Sequence, residues 1–131
     1  MHARDKFYSA LLRAKASAQL EHERDGVEII RVERYLDAKA AALIKSAFKR
    51  MVQAGRAHAI IDLTNVSGVD STGLGSLVSA LRAVREIGGC IRLVAGSGRL
   101  LQMLELTALT RVFKVHASVS SALDAFSPAA A

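Results

Sequence analysis

The sequence predicts one α/β domain, with a mixed, mostly parallel sheet of about four or five strands and about four helices. Short apolar runs rich in β-branched residues alternate with amphipathic helical segments, which is typical of parallel strands joined by crossover helices. A strong hairpin signal, Asp25-Gly26, separates the first two runs, so we expect these to pair antiparallel. Because 51% of the 131 residues are hydrophobic, the chain can form a core without a disulfide or structural metal.

The strands are predicted from runs of Val, Ile and Leu that are bounded by turn residues. They cover residues 18–23, 27–32, 59–63, 91–95 and 111–115. The last of these runs is predicted to lie at an edge of the sheet.

The helices are predicted from apolar residues spaced three and four positions apart. Asp37 is the predicted N-cap of a helix that continues to about Gln53 and stops at Gly55. Ser97 and Ser118 are predicted to cap two shorter helices that follow later strands. The remaining helix begins at the motif described below.

The segment before the first strand is predicted to be an N-terminal helical extension over residues 1–16. Its apolar residues lie on one side of a helix and its basic residues mostly elsewhere. We expect this helix to pack against its own domain, because a free helix of this length is marginal in water. The main domain then spans residues 17–126, and residues 127–131 are predicted to be a flexible tail.

The most informative stretch is residues 69–75, Val-Asp-Ser-Thr-Gly-Leu-Gly, where an apolar strand turns into a helix. Either Asp70 or Ser71 can cap this helix, and Thr72 is predicted as its first residue. The free N–H groups and the positive end of the helix dipole stabilise an anion placed there. The pattern alone therefore allows two interpretations, a plain helix cap or a phosphate site at Ser71.

Three motifs carry a resemblance to a known family. They are Asp70-Ser71-Thr72-Gly73-Leu74-Gly75, Leu36-Asp37 followed by Ala40, and Ile87-Gly88-Gly89 before the strand at Ile91. With these motifs the segment from about Ser17 to Phe126 resembles a STAS domain, specifically the bacterial anti-sigma-factor antagonists. The chain departs from the family pattern at Arg34, where the family has a glycine.

The resemblance implies a non-catalytic partner switch, an anti-sigma-factor antagonist that binds an anti-sigma serine kinase when unphosphorylated and releases it when phosphorylated. Ser71, with Thr72 as the alternative, is the residue that a partner kinase phosphorylates. The partner-binding residues it implies are Asp37, Asp70, Ser71, Thr72, Gly73 and Leu74. The implied partners are an anti-sigma serine kinase of the histidine-kinase-like ATPase fold and a metal-dependent serine phosphatase that resets the switch.

Two other functions compete with the partner switch. A STAS subunit of a lipid or solute transport assembly would dock the same surface on an ATPase or permease. A nucleotide-binding or catalytic α/β protein would need a phosphate-binding lysine or a catalytic constellation, and the four histidines are scattered along the sequence. Asp62 and Asp70 flank the motif, and a structural or partner-binding role is favoured over an acid–base pair. We therefore expect no enzyme activity, no cofactor and no metal.

The charge distribution bears on partners and location. The net charge is +6, and residues 1–56 hold 12 Lys and Arg against 7 Asp and Glu. The aromatic residues among these charges do not form the series that a nucleic-acid stacking platform requires, so we expect no direct nucleic-acid binding. No apolar run approaches the roughly 20 residues needed to span a bilayer, and no signal-peptide core is present. We expect a cytoplasmic protein, and a single cysteine is consistent with a reducing compartment.

Overall fold

The structure is a computed structural model, and it describes residues 18–24, 26–96 and 98–126. Three predictions lie outside the described residues. These are the helical extension over residues 1–16, the Ser97 cap and the tail at residues 127–131.

Five strands form one sheet, in the spatial order β1-β2-β3-β4-β5. Strand β1 is antiparallel to β2, and β2 to β5 run parallel to one another. The strands are β1 (Ala18–Arg24), β2 (Val27–Leu36), β3 (His58–Val69), β4 (Cys90–Val94) and β5 (Lys114–His116). The predicted mixed, mostly parallel sheet with an antiparallel first strand is confirmed.

Four helices of the described residues connect or follow these strands. They are α1 (Ala38–Gln53), α2 (Ser71–Arg85), α3 (Arg99–Leu106) and α4 (Val119–Asp124). Helix α1 begins and ends as predicted, and α4 is capped by Ser118, whose side chain accepts from the Ser121 N–H group at 3.1 Å. These helices confirm the predicted α/β class.

The last predicted strand is wrong in its position. Instead of a strand over residues 111–115, a 3₁₀ turn at Leu109–Arg111 is followed by β5 at Lys114–His116. The turn closes through the Phe113 N–H group, which donates to the Leu109 carbonyl oxygen at 2.8 Å, and the Phe113 side chain is buried in the core. Tertiary packing of this aromatic ring therefore delays the strand by three residues.

The sheet packs on both faces. Helices α1, α2 and α3 contribute to the larger core cluster, which includes Ile44, Phe48, Leu77 and Leu104. Helix α4 packs on the opposite face against a smaller cluster that includes Ile60. The carboxyl ends of β2 and β3 consequently lead into α1 and α2 at one edge of the sheet.

On the α4 side of the sheet, Arg92 of β4 lies close to His116 of β5 and to Phe126, the last residue that the structure describes. The Arg92 guanidinium lies 5.0 Å from the centre of the Phe126 ring, and its Nη1 atom lies 3.2 Å from His116 Nε2. Burial lowers the pKa of His116 from 6.5, and the positive charges of Arg92 and Lys114 lower it further. The neutral imidazole is the form that can accept a hydrogen bond from Arg92.

We predict that His116 makes the fold sensitive to acid. Because the folded-state pKa is depressed, the unfolded chain binds more protons below pH 6.5, so stability is lost as the pH falls through that value. The measurement is the free energy of unfolding in urea at about pH 7.5 and about pH 5.5. The variant His116→Gln keeps an acceptor for Arg92 but does not titrate, and it should lose less stability than the wild type. An equal loss in both proteins would contradict the prediction.

Candidate functional site

The ends of β2 and β3 bring the two predicted aspartates to the same edge of the sheet. Leu36 and Val69 are paired at the last position of the parallel ladder. One residue later, the N–H group of Asp70 donates to the carbonyl oxygen of Leu36 at 3.2 Å. Asp37 and Asp70 therefore stand at equivalent positions, each directly between a strand and a helix.

The two aspartates cap their helices in the same way. An Asp37 Oδ1 atom accepts from the N–H group of Ala40 at 3.0 Å, and Asp70 Oδ1 accepts from that of Gly73 at 2.8 Å. Asp70 is extended, with φ −118° and ψ 174°, and the helix begins at Ser71. The prediction of Asp37 as a cap is confirmed, whereas the prediction of Thr72 as the first helical residue is wrong. Because Asp70 is the cap, Ser71 is the first residue of the helix.

Gly73 sets the distance between helix α2 and strand β2. A Cβ atom at this position would overlap the carbonyl oxygen of Leu36, which is backbone and cannot rotate away. Gly73 is buried, and the next residue, Leu74, is partly buried against the core. These two motif residues hold the first turn of α2 against the strand.

The exposed residues of the motif are Asp70, Ser71, Thr72 and Gly75, and the first three lie together at the strand-to-helix junction. Among the described residues the hydroxyl groups of Ser71 and Thr72 have no hydrogen-bond partner, whereas Ser76 Oγ donates to the carbonyl oxygen of Gly73 at 2.6 Å. Ser71 is thus a solvent-accessible hydroxyl at the first position of a 15-residue helix. A phosphate attached there would meet the positive helix end.

Two residues beside this motif were not singled out as site residues by the sequence. Arg34, at the position of the family glycine, keeps a left-handed backbone with φ 66°, and its carbonyl oxygen accepts from Ser67 Oγ at 3.0 Å. Tyr35 is 54% exposed, and its ring lies over Gly68, where a Cβ atom would come within 2.9 Å of Tyr35 Cδ1. Arg34 thus adopts a backbone conformation that glycine adopts more readily than other residues. The sequence offered one signal for these residues, because Tyr35 lies between Arg34 and the capping residue Asp37.

Asp62 is a buried residue of the sheet. Its side chain is 7% exposed, its Oδ1 atom accepts from the N–H group of Thr64 at 3.0 Å, and its Oδ2 atom lies 3.8 Å from Arg31 Nε. These contacts support the structural role that the sequence favoured for this carboxylate.

Among the residues that the structure describes, no group of three or more His, Cys, Asp and Glu side chains is arranged to hold a metal ion. None of the helices in those same ranges is both long enough and apolar enough to cross a membrane.

Comparison with known proteins identifies the family. The STAS domain model matches residues 20–122. This chain belongs to the STAS domain family. An anti-sigma-B factor antagonist from Listeria monocytogenes is 33% identical to this STAS protein over 95 residues, which cover 72% of this chain and 82% of the relative. A Thermotoga neapolitana protein named as an anti-sigma factor antagonist homologue is 30% identical over 101 residues, which cover 76% and 89%.

A solved structure agrees with this fold. The crystal structure of a Thermotoga maritima protein assigned as an anti-sigma factor antagonist superposes with a TM-score of 0.72 at 27% identity. The superposition covers 80% of this STAS chain and 92% of the other. The strands and helices that position Asp37 and Ser71 are thus part of a shared fold.

We predict that the two motif glycines respond oppositely to alanine. Gly73→Ala should lower the free energy of unfolding by about 1–3 kcal/mol, because the added methyl group must displace the backbone of Leu36. Gly75→Ala meets no atom within 4 Å and should raise stability by up to about 1 kcal/mol through helix propensity. Urea denaturation of both variants measures the difference. Equal stability of the two variants would show that the contact with Leu36 does not constrain the helix.

Proposed function

We propose that this chain is a non-catalytic partner switch, an anti-sigma-factor antagonist that acts by binding an anti-sigma serine kinase. It binds the kinase while Ser71 is unphosphorylated and releases it when Ser71 carries phosphate. One observation carries the proposal. The Ser71 hydroxyl is exposed at the start of α2, has no hydrogen-bond partner among the described residues, and lies at the same edge of the sheet as Asp37. The names of the relatives support the antagonist role.

The position of Ser71 suits a switch that changes charge without changing the fold. Phosphorylation adds about −1.5 to −2 charges and three strong acceptors at pH 7. The helix end stabilises this charge locally. The neighbouring Asp70 carboxylate already accepts from Gly73, so repulsion between the two anions favours a phosphate that points towards solvent.

A partner packed against this surface would respond strongly to the phosphate. An interface formed around a neutral hydroxyl would have to bury a hydrated anion, which is costly without a matching cation. The complex is therefore lost while the domain stays folded. We further propose that the kinase has the histidine-kinase-like ATPase fold and that a metal-dependent serine phosphatase restores the binding form.

We predict that Ser71, and not Thr72, is the phosphoacceptor. The kinase recovered by affinity capture is incubated with ATP and the wild-type chain, and phosphopeptides are mapped by mass spectrometry. Ser71→Ala should abolish phosphate incorporation and bind the kinase constitutively, whereas the matched variant Thr72→Ala should still be phosphorylated. Ser71→Asp should bind more weakly than the wild type, although one carboxylate imitates phosphate incompletely. Phosphate found only on Thr72 would contradict the assignment.

We predict that Asp37 and Asp70 contribute charge to the partner surface as well as capping their helices. Alanine at either position should cost about 0.5–2 kcal/mol of stability through loss of the cap. Asparagine caps comparably but is neutral, so Asp37→Asn and Asp70→Asn should stay folded and yet bind the kinase more weakly.

The control for this prediction is Ser118→Ala, which removes the cap of α4 on the opposite face of the sheet. It should lower stability without changing kinase binding. Urea denaturation and titration calorimetry are run on all of these variants. Wild-type affinity and phosphorylation rate in both asparagine variants would exclude the proposed role.

A further inference from the structure

A groove with a volume of about 780 Å³ runs between helices α1 and α2. It exists because α2 presents only small residues on this side, at spacings of three and four, so no side chain from α2 fills the space. The lining from α2 includes Gly75, Ser76, Ser79, Ala80 and Ala83. The opposite wall comes from α1 and includes Ile44 and Phe48 from the core edge. The result is a mostly apolar concavity on the surface.

The two helices that form the α1–α2 groove carry only positive charge. Helix α1 contains Lys39, Lys45, Lys49 and Arg50, helix α2 contains Arg82 and Arg85, and neither contains Asp or Glu. Lys45 and Lys49 are exposed and line the groove itself. An occupant with carboxylates along its rim is therefore complementary to this surface, and a basic occupant is repelled.

The groove reaches the phosphorylation motif. Thr72, the neighbour of Ser71, lines the groove together with Gly75 and Ser76 from the next turn. Charge placed on Ser71 thus lies beside one end of the groove. A phosphate there would weaken the attraction that Lys45 and Lys49 exert on a negatively charged occupant.

We propose that the α1–α2 groove binds an acidic amphipathic helix of the partner protein, and this inference rests on the proposed function. The apolar face of that helix fills the space between α1 and α2, and its carboxylates pair with Lys45 and Lys49. The concave shape favours a helical ridge over a lipid surface, because a flat bilayer cannot enter a groove. Phosphate on Ser71 repels the same acidic helix, so occupancy of the groove depends on the state of the switch.

The first test reverses the charge of the groove. Lys45→Glu combined with Lys49→Glu should weaken binding of the captured kinase by about tenfold or more and reduce its dependence on salt. The matched control combines Arg111→Glu with Lys114→Glu, two exposed cations outside the groove, with the same change in net charge. The control should bind within about twofold of the wild type. If the two double variants weaken kinase binding equally, the loss of binding follows from net charge alone, and the proposal is overturned.

The second test blocks the groove and locates its occupant. Ser79→Trp should fill the space and weaken kinase binding, whereas Ser120→Trp, at an exposed position of α4, should not. A photo-crosslinking amino acid at position 79 should then attach to an acidic, amphipathic segment of the kinase. Attachment to a basic segment overturns the proposal. Binding of the chain to phosphatidylglycerol vesicles that Ser79→Trp abolishes would instead assign the groove to lipid.

The same measurements separate the two proposals. If Ser71→Asp weakens kinase binding but the groove variants do not, the partner switch stands and the groove proposal fails. If the groove variants weaken binding while Ser71→Asp and phosphorylation have no effect, the groove proposal stands without its coupling to Ser71 and the switch fails. Absence of any kinase binding by the unphosphorylated wild-type chain overturns both.

Discussion

The close backbone contact between the first turn of α2 and the end of β2 is the constraint on which the site depends. Gly73 lies so near the carbonyl group of Leu36 that no side chain fits between them. The same carbonyl oxygen accepts from the Asp70 N–H group, and Asp70 caps the helix through the N–H group of Gly73. These linked contacts fix where α2 begins, and they place Ser71 on the exposed side of that beginning. A side chain at position 73 would push α2 away from β2 and move the Ser71 hydroxyl relative to Asp37.

The buried charged side chains lie apart from this exposed edge of the sheet. The buried Glu28 side chain pairs with Arg56, and Asp62 is held by Thr64 and Arg31 within the sheet. These charges have compensating partners, which offset the cost of burying them within the sheet. The Ser71 hydroxyl, which has no hydrogen-bond partner among the described residues, lies instead where the strand ends and the helix begins. A modification at that place changes surface charge and hydrogen bonding, while the core contacts of α2 remain.

Electrostatics connects the exposed motif to the rest of its face. Helices α1 and α2 carry cations and no acidic residue, the two capping aspartates lie at their N-termini, and Glu86 follows the C-terminus of α2. The face is thus positive along the helices and negative at the edge that bears Ser71. A partner with the opposite distribution would be steered and oriented before contact. Phosphorylation of Ser71 would strengthen the negative end, which is how the proposed switch would act on the groove proposed as a helix-binding surface.

The sequence by itself determined the type of sheet, the antiparallel first strand, the extent of α1 and the identity of Asp37 and Ser118 as caps. These features depend on local patterns, namely apolar periodicity and a polar side chain that reaches the third N–H group of its own helix. It did not determine that β2 and β3 continue to Leu36 and Val69, because several of their final residues are exposed and are extended through pairing with each other.

Tertiary structure also decided the start of α2 and the burial of Gly73, since both depend on a carbonyl group contributed by a distant strand. It decided the position of β5, because Phe113 turns into the core before pairing resumes. The α1–α2 groove is another feature that tertiary structure decided. Small residues on α2 are visible in the sequence, but a groove exists only when a second helix lies beside them at a distance that packing sets.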